Sequence, residues 1–367
     1  MPDSVGKENV MNQQTALIAM SGGVDSSVAA YLMKEQGYDC VGGTMRLHNQ
    51  GELTFSKVHL CSSPKDIEDA EAIADKLGMP YHVFNFMDDF EEKIIDPFIE
   101  AYEAGRTPNP CVRCNKFMKF NRLHQKARDL GLYYLVTGHY AQVEEREGAF
   151  FLKKAADPSK DQSYVLYNLT QDQLAHTLFP LGGMSKSQTR EIADRAGFIN
   201  ADKPDSMDIC FVPDGDYARV IEERTGRTYP EGDFVTKEGE VLGRHKGIIH
   251  YTIGQRRGLG IASPKPLYVL SIDPLNNRVI LGHREDLFSS RVLVEGVHWI
   301  SGEAPSAPFT CKAKLRYRQQ EEACRVTPLE NGAVTLDFDR PQRAVTPGQA
   351  AVFYNGDYVL GGGTIIQ

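Results

Sequence analysis

The sequence lacks any apolar run long enough to cross a lipid bilayer, and its first 14 residues contain no hydrophobic segment of the signal-peptide kind. We therefore expect a cytoplasmic protein that does not bind membranes, with residues 1–14 as a disordered N-terminal extension. An excess of basic residues is also lacking, because 49 acidic side chains outnumber 41 basic ones and the formal net charge is −8. Any polyanionic partner must therefore be bound by a local basic surface.

A disulfide framework is also not expected. The chain has seven cysteines, an odd number spread over 367 residues, which favours reduced thiols. Cys40, Cys311 and Cys324 lie in strand-like stretches, where cysteine usually serves as a small buried apolar residue. The length of the chain indicates two or three domains.

Residues 21–27 read Ser-Gly-Gly-Val-Asp-Ser-Ser and lie between an apolar run, residues 15–20, and a helical pattern that begins near Val24. Adjacent glycines permit a tight turn, and the amides at a helix start favour anions, so this loop is a candidate phosphate site. No Gly-Lys-Ser/Thr and no Gly-x-Gly-x-x-Gly is present, which excludes the common nucleotide P-loop and the Rossmann fingerprint. The alternative is a serine-capped helix after a turn, without a ligand.

The hydrophobic pattern predicts strands that alternate with helices in the first part of the chain. Strands are expected over residues 15–20, 40–47, 81–86 and 133–137, with helices over 24–36, 67–77, 89–104 and about 115–130. This order predicts a parallel sheet with helices on both faces and ligands at the carboxyl ends of its strands. Residues 286–367 alternate in short strands between turn residues, which predicts a small antiparallel β-barrel.

A Cys-x-x-Cys pair, Cys111 and Cys114, lies in a loop stiffened by two prolines. We expect Cys114 at or just before a helix N-terminus, where the helix dipole favours a thiolate. The pair could be half of a zinc site, a redox dithiol or two buried thiols. No second pair follows at zinc-finger spacing, and no thioredoxin-like unit surrounds it.

Residues 21–27 resemble the pyrophosphate loop (PP-loop) of ATP pyrophosphatases, which split ATP into AMP and pyrophosphate. Four further motifs follow: Thr-Pro-Asn-Pro-x-x-x-Cys-Asn-Lys at 107–116, Thr-Gly-His-Tyr at 137–140, Lys-Asp-Gln-Ser-Tyr at 160–164 and Asp-Ser-x-x-Ile-Cys-Phe at 205–211. In this order the five motifs resemble the tRNA-specific 2-thiouridylase family, and the resemblance runs from about residue 15 to the C-terminus.

The resemblance implies an α/β fold with three domains. These are a parallel-sheet PP-loop catalytic domain of the adenine nucleotide α-hydrolase type (15–215), a central tRNA-binding domain (216–285) and a C-terminal antiparallel β-barrel (286–367). It implies that ATP, with Mg²⁺, adenylates the C2 oxygen of the wobble uridine at tRNA position 34. Sulfur then comes from a cysteine persulfide, supplied by a cysteine desulfurase or its relay protein, and replaces that oxygen.

The resemblance also assigns residues. ATP binding falls to Ala19, Met20, Ser21, Gly22, Gly23, Val24, Asp25, Ser26, Met45 and Gly138, and the target base to Asn109, Pro110 and Cys111. Contacts with the tRNA anticodon stem-loop fall to His139, Lys160, Asp161, Gln162, Arg316, Tyr317 and Gln349. Cys210 carries the persulfide and Cys114 is the nucleophile, and the reaction leaves a Cys114–Cys210 disulfide for reduction.

The chain departs from the family pattern at Cys111, where many members have an aspartate. Cys111, Cys114 and Cys210 could therefore hold a [4Fe-4S] cluster that carries sulfide, in place of the persulfide route. Two further hypotheses stay open. One is an adenylate-forming ligase of the amidotransferase type, although the chain has no Gly-x-Cys-x-Gly elbow, and the other is a tRNA- or metal-binding protein with a decayed nucleotide site.

Basic residues cluster where RNA could bind. Residues 241–285 contain seven basic side chains and two acidic ones. Lys312, Lys314, Arg316 and Arg318 alternate along a predicted strand, which would place them on one face beside Tyr317. Phosphate contacts supply much of the affinity for nucleic acid, so we expect these segments to bind the tRNA.

Overall fold

The computed structural model describes residues 12–48, 63–205, 209–212 and 215–367. The expectation for residues 1–14 thus falls mostly outside the described residues. In the described ranges, no helix combines the length and the apolar character that a membrane span requires.

The first part of the chain is built on a parallel sheet. Its strands in chain order are β1 (Thr15–Ala19), β2 (Asp39–Arg46), β3 (Tyr81–Asn85), β4 (Tyr134–Val136) and β7 (Thr177–Leu178). Between β4 and β7 the chain forms a hairpin of two strands, β5 (Ala141–Arg146) and β6 (Ala149–Lys154). The sheet order is β3-β2-β1-β4-β7, and every pairing in it is parallel. The predicted parallel sheet is confirmed, with β1 at its centre.

Helices cover both faces of this sheet. They are α1 (Val24–Glu35), α2 (Pro64–Lys76), α3 (Met87–Phe90), α4 (Asp96–Glu103), α5 (Pro110–Cys114), α6 (His124–Asp129), α7 (Gln171–Ala175) and α8 (Lys186–Arg195). Segments of π-helix, Glu91–Ile95 and Asn115–Leu123, join α3 to α4 and α5 to α6. The side chains of β1 alternate between two cores, because Leu17 packs into the cluster with Phe98 and Phe120, and Ile18 into the cluster with Val28.

The helix that carries the Cys-x-x-Cys pair begins earlier than predicted. Asn109 Oδ1 accepts a hydrogen bond from the Val112 amide at 3.3 Å, and Pro110 occupies the first helical turn, where its fixed φ suits a helix start. Cys111 therefore lies in the first turn, and Cys114 lies about one turn further on. The prediction that Cys114 is at the helix N-terminus is wrong, so the dipole argument applies to Cys111 instead.

The second part of the chain forms two further sheets. The central part contains α9 (Tyr217–Thr225) and strands β8 (Gly232–Val235), β9 (Val241–His245), β10 (Tyr268–Asp273) and β11 (Arg278–Gly282), in the order β10-β11-β8-β9. The last part contains β12 (Phe288–Trp299), β13 (Phe309–Lys314), β14 (Glu322–Pro328), β15 (Val334–Arg343), β16 (Ala350–Asn355) and β17 (Tyr358–Ile365). Strand β17 pairs with β12, so these six antiparallel strands close into the predicted barrel.

The barrel also contacts the first part of the chain. Hairpin β5–β6 pairs with β17 through Lys153 and Tyr358. On the barrel wall, Cys311 faces Cys324 across β13 and β14, with 3.9 Å between the two Sγ atoms. Cys40 and Cys324 are buried, as expected, whereas Cys311 is half-buried. The domain boundaries given above stay predictions.

The glycine pair Gly182-Gly183, after β7, tests how tightly this segment packs against β5. A Cβ added to Gly182 would lie 1.8 Å from the carbonyl oxygen of Ala141 in β5, whereas a Cβ on the neighbouring Gly183 would meet no atom within 4 Å. Gly182→Ala should therefore displace β5 and cost about 1–3 kcal/mol, the usual range for overpacking. We expect thermal unfolding at a temperature several degrees lower for Gly182→Ala, with Gly183→Ala as the matched control. Equal melting temperatures for the two variants would contradict this packing.

Candidate active site

The loop of residues 21–27 is held in a conformation that only glycine permits at one position. Gly22 has φ of 73°, and a Cβ there would lie 2.3 Å from the backbone oxygen of Asp66. Gly23 is the N-cap of α1, and no side chain caps this helix. The hydroxyls of Ser26 and Ser27 instead donate to the Gly23 carbonyl at 2.9 and 3.1 Å. The serine cap expected in the alternative is therefore absent, and the amides of the first turn are not bonded to a capping side chain.

The carboxyl ends of neighbouring strands surround this loop. The Met20 amide donates to the Gly43 carbonyl at 2.9 Å, and the Thr44 hydroxyl donates to the Met20 carbonyl at 2.6 Å, so β2 supports the start of the loop. A Cβ on Gly138, just after β4, would lie 2.7 Å from the carbonyl carbon of Asp25. All ten residues predicted to bind ATP thus lie at one edge of the parallel sheet.

Two residues that sequence reasoning missed contact Asp25 in this loop. Lys186 Nζ lies 2.7 and 2.9 Å from the two Asp25 carboxylate oxygens, and the Tyr140 hydroxyl donates to Asp25 Oδ1 at 2.9 Å. Burial raises the pKa of Tyr140 far above its usual value, so its hydroxyl stays a proton donor. Tyr140 was visible in the Thr-Gly-His-Tyr motif, but no pattern in the sequence distinguishes Lys186.

The carbonyl of Gly22 is held from a third direction. Asn200 Nδ2 and Lys203 Nζ both donate to it at 3.0 Å, and Asn200 also donates to the Ser27 hydroxyl at 2.9 Å. Lys203 is held in turn by Asp66 and by Asp69 at 3.0 Å. Burial lowers the pKa of Lys203, but hydrogen bonds with these two carboxylates outweigh burial and raise it overall. The segment that leads towards Cys210 is therefore fastened to the loop.

The three thiols of interest differ in exposure. Cys114 and Cys210 are half-buried and pack against the large hydrophobic cluster that includes Phe211, whereas Cys111 is exposed. Over the described ranges, no group of three or more His, Cys, Asp or Glu side chains is arranged to hold a metal ion. In this part of the chain, Cys111, Cys114 and Cys210 thus do not stand out as a ligand set for a cluster. Of the other target-base residues, Pro110 is buried and Asn109 uses its side chain as the helix cap.

The predicted tRNA contacts in residues 160–162 have partners within the protein. Lys160 Nζ lies 2.8 Å from Asp205, and Gln162 Oε1 accepts a hydrogen bond from the Tyr140 amide at 2.9 Å. Asp161 is buried and accepts hydrogen bonds from the amide and the hydroxyl of Ser163. These bonds hold residues 160–162 in place, and the contact of these residues with RNA stays a prediction.

The residues of the barrel that are predicted to contact tRNA also form hydrogen bonds within the protein. Strand β13 ends at Lys314, so Arg316 and Tyr317 lie in the turn that follows and not on the predicted strand face. Arg316 donates to the Ala344 carbonyl at 2.8 Å, and the exposed Tyr317 donates through its hydroxyl to the Asp161 carbonyl at 3.2 Å. The Gln349 side chain donates through Nε2 to the carbonyls of Thr107 and Pro108 at 2.9 and 3.1 Å, which ties the proline loop to the barrel.

His139 is the last of the predicted contacts, and it is buried. Its Nδ1 lies 2.7 Å from the Thr137 hydroxyl, and its Nε2 lies 3.4 Å from Lys119 Nζ. Burial, assisted by the Lys119 ammonium, lowers the pKa of His139 well below 6.5. The ring is therefore neutral at physiological pH and supplies no positive charge for RNA.

Comparison with known proteins places this architecture. Family models match three consecutive parts of the chain: a tRNA methyl transferase HUP domain over residues 14–214, a tRNA methyl transferase PRC-barrel domain over 219–283 and an aminomethyltransferase β-barrel domain over 289–365. The tRNA-specific 2-thiouridylase MnmA 1 of Thermoanaerobacter sp. (strain X514) is 49% identical over 352 residues, which are 95% of this chain and 97% of that protein. The chain belongs to the tRNA-specific 2-thiouridylase family.

Other members of the family agree. The MnmA 1 protein of Clostridium botulinum (strain Loch Maree / Type A3) is 47% identical over 96% of this chain and 99% of its own, and MnmA of Symbiobacterium thermophilum is 48% identical over 95% and 91%. A solved 4-thiouridine synthetase–RNA complex with bound ATP is 16% identical, covers 57% of this chain and 50% of its own and has a TM-score of 0.36. The family models and the curated relatives confirm the predictions of the family, the fold class and the enzyme class.

The neutral state of His139 makes stability depend on pH. Its folded pKa is lowered, so its contribution is complete above the ordinary histidine pKa of about 6.5 and is lost as the pH falls towards the folded pKa. The substitution His139→Asn gives Thr137 a neutral partner that does not titrate. Between pH 7 and pH 5 we expect the melting temperature to fall more for the unsubstituted protein than for His139→Asn. Equal falls in melting temperature for the two proteins across this range would mean that folding does not lower the pKa of His139.

Proposed function

We propose that this chain is an ATP-dependent tRNA sulfurtransferase that makes 2-thiouridine at wobble position 34, by adenylation of the uridine C2 oxygen and sulfur transfer from a cysteine persulfide. The observation that carries the proposal is the attachment of the segment preceding Cys210 to the loop of residues 21–27. Asn200 and Lys203 both donate to the Gly22 carbonyl, so the chain that leads to a thiol starts from the candidate phosphate site.

The first step removes a poor leaving group. The uridine O2 attacks the α-phosphorus of ATP, the bond from that phosphorus to the β-phosphate oxygen breaks, and pyrophosphate leaves. The amides at the N-terminus of α1 and the narrow turn at Gly22 are suited to hold the phosphates, and Mg²⁺ would accompany ATP as a counter-ion. Lys186, which lies against Asp25, places a positive charge at the same edge.

The second step delivers sulfur. The terminal sulfur of a Cys210 persulfide forms a bond to C2, and AMP leaves with the former carbonyl oxygen. The Cys114 thiolate then attacks the Cys210 sulfur, which releases the thiouridine and leaves a Cys114–Cys210 disulfide. The same products result if Cys114 first frees hydrosulfide from the persulfide and hydrosulfide attacks C2. A thiol reductant must then return the disulfide to two thiols, and a cysteine desulfurase or its relay protein supplies the next sulfur.

An acidic protein needs local positive charge to bind tRNA, and the central part of the chain supplies it. Arg256, Arg257 and Lys265 are exposed in the loop that follows Gln255, and this loop lines a cavity of about 390 Å³. Exposed cations on a surface loop are suited to contact phosphates. Such contacts do not depend on the base sequence of the RNA, and they fix its orientation. The anticodon stem-loop with uridine 34 is the proposed substrate.

Replacing the sulfur carrier tests this function. Cys210→Ser cannot form a persulfide, so we expect no 2-thiouridine in tRNA from a strain that lacks its own enzyme, measured by nucleoside mass spectrometry. Release of pyrophosphate in the presence of tRNA should persist, because adenylation precedes sulfur transfer. Cys311→Ser is the matched control, since Cys311 is a half-buried thiol on the barrel wall. Full 2-thiouridine levels with Cys210→Ser would refute the proposed function.

A further inference from the structure

Asp205 has an unusual concentration of positive charge around it. Lys186 Nζ lies 2.6 Å from its carboxylate, Lys160 Nζ 2.8 Å and an Arg190 guanidinium nitrogen 3.4 Å. Burial would raise the pKa of Asp205, but the hydrogen bonds from Lys160 and Lys186 outweigh burial and lower it. The carboxylate is therefore ionised at neutral pH and binds three cations from separate positions in the chain.

One of these cations, Lys186, also contacts the loop of residues 21–27, called the phosphate loop below. Lys186 Nζ contacts Asp25 at 2.7 Å as well as Asp205, and only 12% of its side chain is exposed. A single ammonium group thus joins the loop of residues 21–27 to Asp205. Ion pairs that are partly shielded from solvent are screened less by salt than surface pairs, so salt weakens this link less than it weakens an exposed pair.

Asp205 also lies five positions before Cys210 in the chain. Upstream, Arg190 donates to the carbonyls of Ala201 and Lys203 at 2.8 and 3.2 Å, which fixes the chain entering Asp205. Downstream, Phe211 is buried with its ring 5.0 Å from that of Phe98. Five peptide units separate Asp205 from Cys210 and span at most about 18 Å. The placement of Asp205 therefore limits where the Cys210 thiol can lie.

We propose that Asp205 is a positioning residue for sulfur transfer, which holds the chain before Cys210 against the phosphate loop through Lys186, Lys160 and Arg190. The inference rests on the proposed function, because it concerns the delivery of sulfur from Cys210 to the activated uridine. Asp205 does not contact the substrate in this role. Its effect falls on the second step, since misplacing a reacting atom by about 1 Å can lower a rate by roughly a hundredfold.

The test compares Asp205→Asn with Asp202→Asn, which makes the same chemical change at an exposed aspartate three residues earlier. Two rates are measured in one turnover with tRNA: the burst of pyrophosphate release and the formation of 2-thiouridine on enzyme loaded with persulfide. For Asp205→Asn we expect a pyrophosphate burst within about twofold of the unsubstituted enzyme and 2-thiouridine formation slower by about tenfold or more. Asp202→Asn should change neither rate.

Two results would overturn the inference. If both rates fall together, Asp205 only supports the nucleotide site or the fold, and if neither falls, it does not position Cys210. Should Asp205→Asn fail to fold, Arg190→Gln removes one of the three cations and must shift the ratio of the rates in the same direction by a smaller amount. Failure of the proposed function looks different, because the unsubstituted enzyme itself would then form no 2-thiouridine.

Discussion

The pair of hydrogen bonds to the Gly22 carbonyl is the interaction on which the rest of the site depends. Lys203 and Asn200 bind it from one side, and the backbone of Asp66 closes against Gly22 so tightly that no Cβ fits. The same contacts hold the turn that precedes α1 and fasten the segment that leads to Cys210. The candidate phosphate site and the chain that leads to the Cys210 thiol therefore share this anchor.

The parts that the sequence predicted well follow from local rules. Strand β1 alternates Leu17 and Ile18 between two cores, and the glycines at 22 and 23 mark the turn into α1. Both signals depend on periodicity and backbone sterics, which are written in a few neighbouring residues. The closure of the barrel was also predictable in kind, because short alternating strands need a partner for every edge.

The parts that the sequence could not predict depend on distant contacts. Lys186 reaches Asp25 across 161 positions, and no local pattern separates it from other surface lysines. Arg316 was expected on a strand face, but it lies in a turn and donates to the Ala344 carbonyl because β13 ends before it. The early start of α5 was missed for a different reason, since the Asn109 cap and Pro110 were visible but were interpreted as loop residues.

In the proposed mechanism, the carboxyl ends of the sheet strands activate the uridine oxygen, and Cys210 and Cys114 deliver the sulfur that replaces it. The central claim is that the uridine oxygen leaves on AMP. The direct measurement uses tRNA with ¹⁸O at C2 of uridine 34 and mass spectrometry of the AMP formed. We predict one ¹⁸O in AMP for each 2-thiouridine made. Unlabelled AMP, with ¹⁸O recovered in water or pyrophosphate, would contradict this claim.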